Sequence, residues 1–256
     1  MTSRGVPLRV GVWTLHVALP VLGLWLLLAA PEADLRWEHH QAHFWLVFVT
    51  AVISLALAAR VAIDARTRGD ARLFLAALAF TAAAGFLGLH ALATPDVVLE
   101  TGNAGFVLAV PFGLLLAAAF AAVSAIELSP PRAHAVVRAH RLLRTVLALL
   151  LIAWAAASLL ELPPLDHTID VEQARGELLA VAIAGAALYL IAALGYYRLL
   201  RRRPSALVLS IITAFVLLGE AMFATALGRN WHVSWWEWHV LMTIAFAFVA
   251  YSALVQ

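Results

Sequence analysis

Trp231-His-Val-Ser-Trp-Trp-Glu-Trp-His239 packs four tryptophans, two histidines and a glutamate into nine residues, and an apolar run to Gln256 follows. Indole rings favour the membrane–water boundary, where one edge is dry and the other wet. Ser234 and Glu237 have the spacing of a capping box, which predicts a helix with Ser234 at its N-cap. His239 then stands about one and a half turns inside a membrane helix. An ionisable side chain at that depth is costly and marks a candidate site. The rest of the chain reads as a scaffold that brings further histidines to the same level.

The 256 residues are 64% hydrophobic and 12% charged. A soluble domain carries about 25% charged residues, so this composition describes a polytopic all-α membrane bundle, one domain over residues 1–256. Cysteine is absent, which excludes disulfides, thiolate copper sites and iron–sulfur clusters. Lysine is absent too, and all 17 basic residues are arginine. The first apolar run is long enough to span and lacks a small-residue cleavage pattern, so no cleaved leader is expected. The small net charge of +2 gives no reason to invoke nucleic acid, because the arginines sort by membrane side.

Eight apolar segments have spanning length: 8–30, 41–59, 73–94, 105–126, 143–160, 176–197, 206–228 and 235–255. With the N-terminus inside, the inner segments carry 14 arginines. These are Arg4, Arg9, Arg60, Arg66, Arg68, Arg72, Arg132, Arg138, Arg141, Arg144, Arg198, Arg201, Arg202 and Arg203. Only 3, Arg36, Arg175 and Arg229, fall outside. This asymmetry predicts both termini in the cytoplasm. Most acidic residues fall on the outer side; either acids, which do not set topology, fall there without consequence, or their field concentrates cations. The inner connections are too short for an inserted domain, so a cytoplasmic output domain is expected after Gln256. Pro130-Pro131 and Pro163-Pro164 are expected to sit in loops and block helix continuation. Ala84, Gly85 and Gly88, and Ala184, Gly185 and Ala187, are small residues of the kind that let membrane helices approach closely, within the chain or in a homodimer.

Seven of the ten histidines lie on or near the outer side: His39, His40, His43, His90, His167, His232 and His239. In Glu38-His-His-Gln-Ala-His43, His39 and His43 are four apart and share a helix face, the spacing by which helical histidines hold a metal. The glutamate precedes the pair, so this is not the zinc-protease pattern. His90 lies five residues before Pro95, at a depth matching that of His239. His39, His43, His90 and His239 are therefore expected to converge just under the outer surface. Such a set suits zinc or copper, while a facing pair would suit haem b. A polar start to the second span and helix packing are the plainer readings of the same residues.

Glu220 lies eight residues before Gly228, deep in the seventh span. A carboxylate there must be protonated, paired or bound to a cation. It is read either as a packing residue bonded to His16, Thr81 or Thr213, or as an outer partner of the histidine site. Glu38, His232 and Glu237 join it as expected second partners or proton relays. No phosphate-binding loop, nucleophile elbow or dinucleotide fingerprint is present.

Phe86-Leu-Gly-Leu-His-Ala-Leu-Ala-Thr-Pro95 and Gly228-Arg-Asn-Trp-His-Val-Ser-Trp-Trp-Glu-Trp-His-Val-Leu-Met242 resemble the N-terminal membrane domain of a group of bacterial adenylate/guanylate cyclases. The similarity extends over most of the chain, including Glu38–Trp45. It implies a multi-span sensor or anchor joined to a cytoplasmic nucleotide cyclase or another signalling output. The cyclase domain itself is absent from this sequence, and the resemblance supplies no ligand residues.

Two functional readings follow: a membrane sensor or regulatory module with an outer histidine site, or an integral-membrane metalloenzyme or haem redox protein with Glu220 as acid or relay. A plain anchor whose polar residues only pack is the third. The topology is directly testable. Reporter fusions at Gln256 should report inside and those in the Asp166–Asp170 loop outside. An outside report at Gln256 would end this arrangement.

Overall fold

The computed structural model describes residues 5–254. Among these the chain forms helices and connections only. The helices are α1 (Gly5–Ala29), α2 (His40–Thr67), α3 (Ala71–Leu92), α4 (Ala104–Ala125), α5 (Pro130–Arg138), α6 (His140–Leu159), α7 (Arg175–Arg202), α8 (Ala206–Leu227) and α9 (Val233–Leu254). Seven of them, α2, α3, α4, α6, α7, α8 and α9, are long and apolar enough to cross a membrane. They cover seven of the eight expected spans. The first expected span falls on α1, which contributes a shorter apolar stretch, Val17–Ala29, among the described residues.

Six helices form a closed circuit in the order α2, α3, α4, α7, α8, α9, with α9 returning to α2. On the outside of this ring, α6 leans on α3 and α4, and α1 leans on α8 and α9. Burial follows composition. Helix α3 is rich in alanine and is buried along most of its length. Helix α2 instead buries one stripe, His43, Val47, Ala51, Ser54, Ala58, Ala62 and Ala65, spaced three or four apart. Its other face carries exposed apolar side chains such as Trp45, Val49, Val52 and Ile53. An apolar outward face is what a lipid surround requires.

The small residues singled out in the sequence sit at close helix crossings. A Cβ at Gly85 would lie 2.8 Å from Leu151 of α6, and one at Gly185 would lie 2.5 Å from the Met222 methyl of α8. Helix α2 stops at a Schellman cap: Gly69 takes φ 67°, Asp70 N donates to the Ala65 carbonyl at 2.8 Å, and Gly69 N donates to that of Arg66 at 3.1 Å. Asp70 then caps α3 by accepting from Leu73 N at 2.9 Å.

Two local expectations are corrected. Pro130 and Pro131 do not sit in a loop; they open the short helix α5, where a missing N–H costs nothing in the first turn. Helices α2 and α7 run beyond the expected spans 41–59 and 176–197, because arginine-bearing turns remain helical past the apolar segment. The side chain of His16 lies outside the described residues.

The arginine-rich connections gather at one end of the bundle. Arg66 donates to His140 at 3.4 Å, and Arg202 pairs with Glu127 at 2.6 Å. At the opposite end His40 meets Asp96 at 2.8 Å, and Ala104 N donates to the His167 carbonyl at 2.6 Å. The grouping of inner and outer segments read from the arginines is thus also a grouping in space.

Gly195→Val should loosen the α4–α7 crossing, since its first added carbon would lie 2.7 Å from the Ala125 Cβ and 3.2 Å from the Ala125 carbonyl oxygen. A cost of about 1–3 kcal/mol is expected from overpacking. It should be read as a lowered melting temperature in detergent; an unchanged value would mean that the two helices are not held at this distance.

Candidate metal centre

Three histidines from three helices meet at the end of the bundle away from the arginines. His43 is the fourth residue of α2, His90 the third from the end of α3, and His239 the seventh of α9. Each lies within about two helical turns of the same end. His43 and His239 lie on the inward apolar stripes of their helices, and His239 continues the run Trp235, Met242 and Phe246. All three side chains are buried, His43 completely.

Their Nε2 atoms face one another. His43 Nε2 is 2.9 Å from His239 Nε2 and 3.2 Å from His90 Nε2. The three lie within 4.8 Å of one another and could hold a metal ion.

The outer ring nitrogens decide what these short distances mean. His90 Nδ1 lies 2.7 Å from the Phe106 carbonyl, and His239 Nδ1 lies 3.2 Å from the Trp235 carbonyl. A carbonyl only accepts, so both Nδ1 atoms carry the proton. His43 Nδ1 lies 3.0 Å from the Thr94 hydroxyl, whose single proton is given to the Ala91 carbonyl at 2.6 Å. Thr94 therefore accepts, and His43 Nδ1 donates. These tautomers are assigned from the hydrogen-bond network. In neutral rings all three Nε2 atoms then present lone pairs to one another. Three acceptors packed this closely repel, and one extra proton could bridge only one pair. A cation relieves all three. Fixing a ligand's tautomer through a bond from its other nitrogen is how protein metal sites orient imidazoles.

Aromatic rings close the site. Trp238 stacks on His239 at 3.4 Å between centroids, and Phe106 stacks on His90 at 4.3 Å. Trp235 and Trp231 pack against His43 at 5.0 and 5.4 Å. The tryptophan-rich motif is thus largely the wall of the histidine site. Trp231, Trp235, Trp236 and Trp238 are all buried, although sequence reading puts indoles at the lipid boundary.

The start of α9 is built differently from the expected capping box. Helix α9 opens at Val233, one residue before the expected N-cap, and Asp34 supplies the cap from across the sequence. Its carboxylate accepts from Ser234 N at 2.8 Å and from Ser234 Oγ at 2.9 Å. An acidic group at a helix N-terminus also meets the positive end of the helix dipole. Further bonds strap the same segment down: Trp37 N to the Trp231 carbonyl at 2.7 Å, Val233 N to that of Leu35 at 3.1 Å, and Trp236 Nε1 to that of Trp37 at 2.9 Å. Trp231 itself takes φ 62°, a left-handed backbone rare for a bulky residue and held here by these contacts.

The other expected site residues lie elsewhere. His39 stays apart from the trio: it is exposed and caps α2, with Nδ1 accepting from Ala42 N at 3.2 Å. The i, i+4 spacing to His43 fails as a metal pair because α2 begins only at His40, which leaves His39 off the helical face. Glu38 bonds Arg36 and His40 beside the helix start. Its slight burial acts to raise its pKa, but the bonds from His40 and Arg36 outweigh this and hold the carboxyl below its usual range. His232 Nδ1 donates to the Asn230 carbonyl at 2.9 Å. Glu220 and Glu237 line a separate cavity whose walls include none of the three histidines. Residues two apart on a helix point about 200° apart, so Glu237 and His239 leave α9 on nearly opposite sides.

Thr94 and Asp34 were missed. Thr94 stood in the quoted Ala-Thr-Pro turn, where it read as a helix end. Asp34 read as one of many outer acids, and nothing local links it to Ser234, 200 residues away. Comparison with protein-family models, with curated proteins and with solved structures finds no match.

Thr94→Val keeps shape and removes the acceptor that fixes the His43 tautomer. Metal affinity should fall about 10–100-fold. Titration of the purified variant with zinc measures this, and wild-type affinity would show that Thr94 does not orient the ring.

Proposed function

We propose that His43, His90 and His239 hold one zinc or copper ion, and that this membrane domain is a metal-responsive sensor or regulatory unit of a bacterial signalling protein. The observation carrying the metal reading is the set of three Nε2 lone pairs turned on one point by outer bonds to Thr94, Phe106 and Trp235. Zinc–nitrogen bonds of about 2.05 Å in a tetrahedron place ligand nitrogens roughly 3.3 Å apart. Two of the spacings are 2.9 and 3.2 Å. Imidazoles suit both zinc and copper, and the site contains no thiolate to narrow the choice further. The haem alternative fits less well: two axial imidazoles need about 4 Å between ligating nitrogens and a porphyrin slab in between. The rings of Trp231, Trp235 and Phe106 already pack there.

The sensor reading rests on the resemblance to cyclase membrane domains and on the placement of the ligands. They sit on α2, α3 and α9, and α9 runs from the histidine end towards the arginine end. In this reading α1 is the eighth span, the arginine end faces the cytoplasm, and an output domain follows α9. Metal can signal only if it binds two helix packings with different affinity. A metalloenzyme is the second reading. It is favoured by the three-ligand set, which leaves a fourth position for water or substrate. A space of about 20 Å³ beside His90, lined also by Asn230 and Thr225 but by neither His43 nor His239, has room for one water.

Purified protein should bind about one zinc or copper ion per chain. His90→Gln and His239→Gln should each abolish stoichiometric binding while the helical content remains. Ligating imidazoles must be neutral, so protons compete with the metal. Affinity should be full at neutral pH and decline only on acidification, as protons begin to displace the metal. Equal metal content in wild type and both variants would overturn the site. For the sensor reading, metal should change hydrogen exchange at the arginine-side ends of α2, α3 and α9. Unchanged exchange there would leave a metal site without a transmitted signal.

A further inference from the structure

On the far side of α9 from the histidines, α1, α7, α8 and α9 enclose a cavity of about 420 Å³. Its lining is almost wholly apolar, with Trp25, Phe215 and Phe223 among the walls. Trp25 and Val21 of α1 are more than half exposed, which sets the mouth of the cavity on the outer, lipid-facing surface. Three polar groups break this lining: Glu220, Glu237 and Tyr189. Each has a buried oxygen with no hydrogen-bond partner: Glu220 Oε2, Glu237 Oε2 and the Tyr189 hydroxyl. Tyr189 is only 1% exposed. Among the described residues only four buried side-chain atoms lack a partner, and three of them line this one space.

An unpartnered polar atom in an apolar interior forfeits the hydrogen bonds it had in water, and a carboxylate loses most. Three in one cavity call for an occupant that satisfies them. The lining contains no arginine, lysine or histidine. An anionic head, such as a fatty acid or a phosphate, would therefore meet two acids and no counter-charge. A neutral hydrocarbon would leave all three oxygens bare. A positively charged nitrogen with N–H groups satisfies the carboxyls, and the aromatic walls suit an apolar body attached to it.

We propose that this cavity binds a lipophilic ammonium compound, with its charged nitrogen at Glu220 and Glu237 and its apolar body against Trp25, Phe215 and Phe223. Helical rise places Glu237 roughly 6 Å and Glu220 roughly 10 Å from the outer ends of their helices. The head thus sits below the interface, and the body reaches down to the Tyr189 hydroxyl, which a polar acceptor on the ligand, such as the sulfonyl oxygen of a dansyl group, would satisfy. Glu220 is then a ligand-binding residue of a second site and not a partner of the histidines.

The test uses the full chain in nanodiscs and three dansyl probes of similar size: dansylcadaverine, its neutral N-alkyl analogue and a dansyl fatty acid. The amine should bind saturably with a blue-shifted emission, and the neutral and anionic probes about 10-fold more weakly or worse. Glu220→Gln and Glu237→Gln should each weaken the amine by a similar factor while zinc binding stays at the wild-type level. Val216→Trp, which fills the cavity, should remove the saturable signal. Equal binding of all three probes would overturn the proposal and make the cavity a general lipid site. Amine binding that survives both glutamine variants would overturn it equally. The probe series on wild-type protein decides the matter even if one variant does not fold.

Discussion

Three imidazole nitrogens with their lone pairs turned on one point form an arrangement that neutral rings do not hold by attraction. Each ring is instead held from behind. The Phe106 and Trp235 carbonyls and the Thr94 hydroxyl accept the outer protons. The indoles of the Trp231–Trp238 run fill the space around the rings. The bundle is therefore closed, between α9 and α2, around a point where three lone pairs repel and where a metal ion could be held. Such strain is common at functional sites, where the surrounding structure over-determines an unfavourable local state.

What over-determines it is the strap between residues 34–37 and 231–236. Asp34 caps α9, two main-chain bonds join the segments, and the Trp236 indole donates across them. This strap joins the connection after α1 to the start of α9 and so fixes the first turns of α9, where His239 resides. Without it, α9 would meet α2 mainly through side chains. The left-handed backbone at Trp231 lets the chain turn from α8 into α9 while its ring packs against His40 at 4.6 Å.

The histidine site was legible in the sequence to the extent that its residues share a side and a depth. Arginine asymmetry gave the side, and helix-end signals such as Pro95 and the tryptophan run gave the depth. That was enough to join His43, His90 and His239. It wrongly added His39, because i, i+4 spacing assumes that both residues are already helical, and α2 starts one residue after His39. It also wrongly tied Glu220 to the histidines, because depth says nothing about angle around the bundle. Seven of the eight expected spans were legible from apolar length, whereas α5 was not, since nine residues with no buried side chain leave no periodic apolar stripe. Asp34 could not be foreseen: its role is a single long-range bond pair, and no pattern within either segment encodes it.

Helix α9 carries groups of both sites on opposing faces, His239 towards α2 and α3, and Glu237 towards α1 and α8. Placing two sites on one rigid element gives a physical route for coupling, because any rotation of α9 moves both groups at once. The route has a definite sign rule. If metal favours the rotation that brings His239 in, it favours whichever state of the acid cavity goes with that rotation, and a ligand there must shift metal affinity by the same factor. Two sites whose occupants bind the same α9 position support each other, and two that demand different positions compete. A bundle in which α1 lies outside the ring and touches α9 beside the cavity can accommodate that motion at its edge, leaving the densely packed α3, α4, α7 and α8 in place.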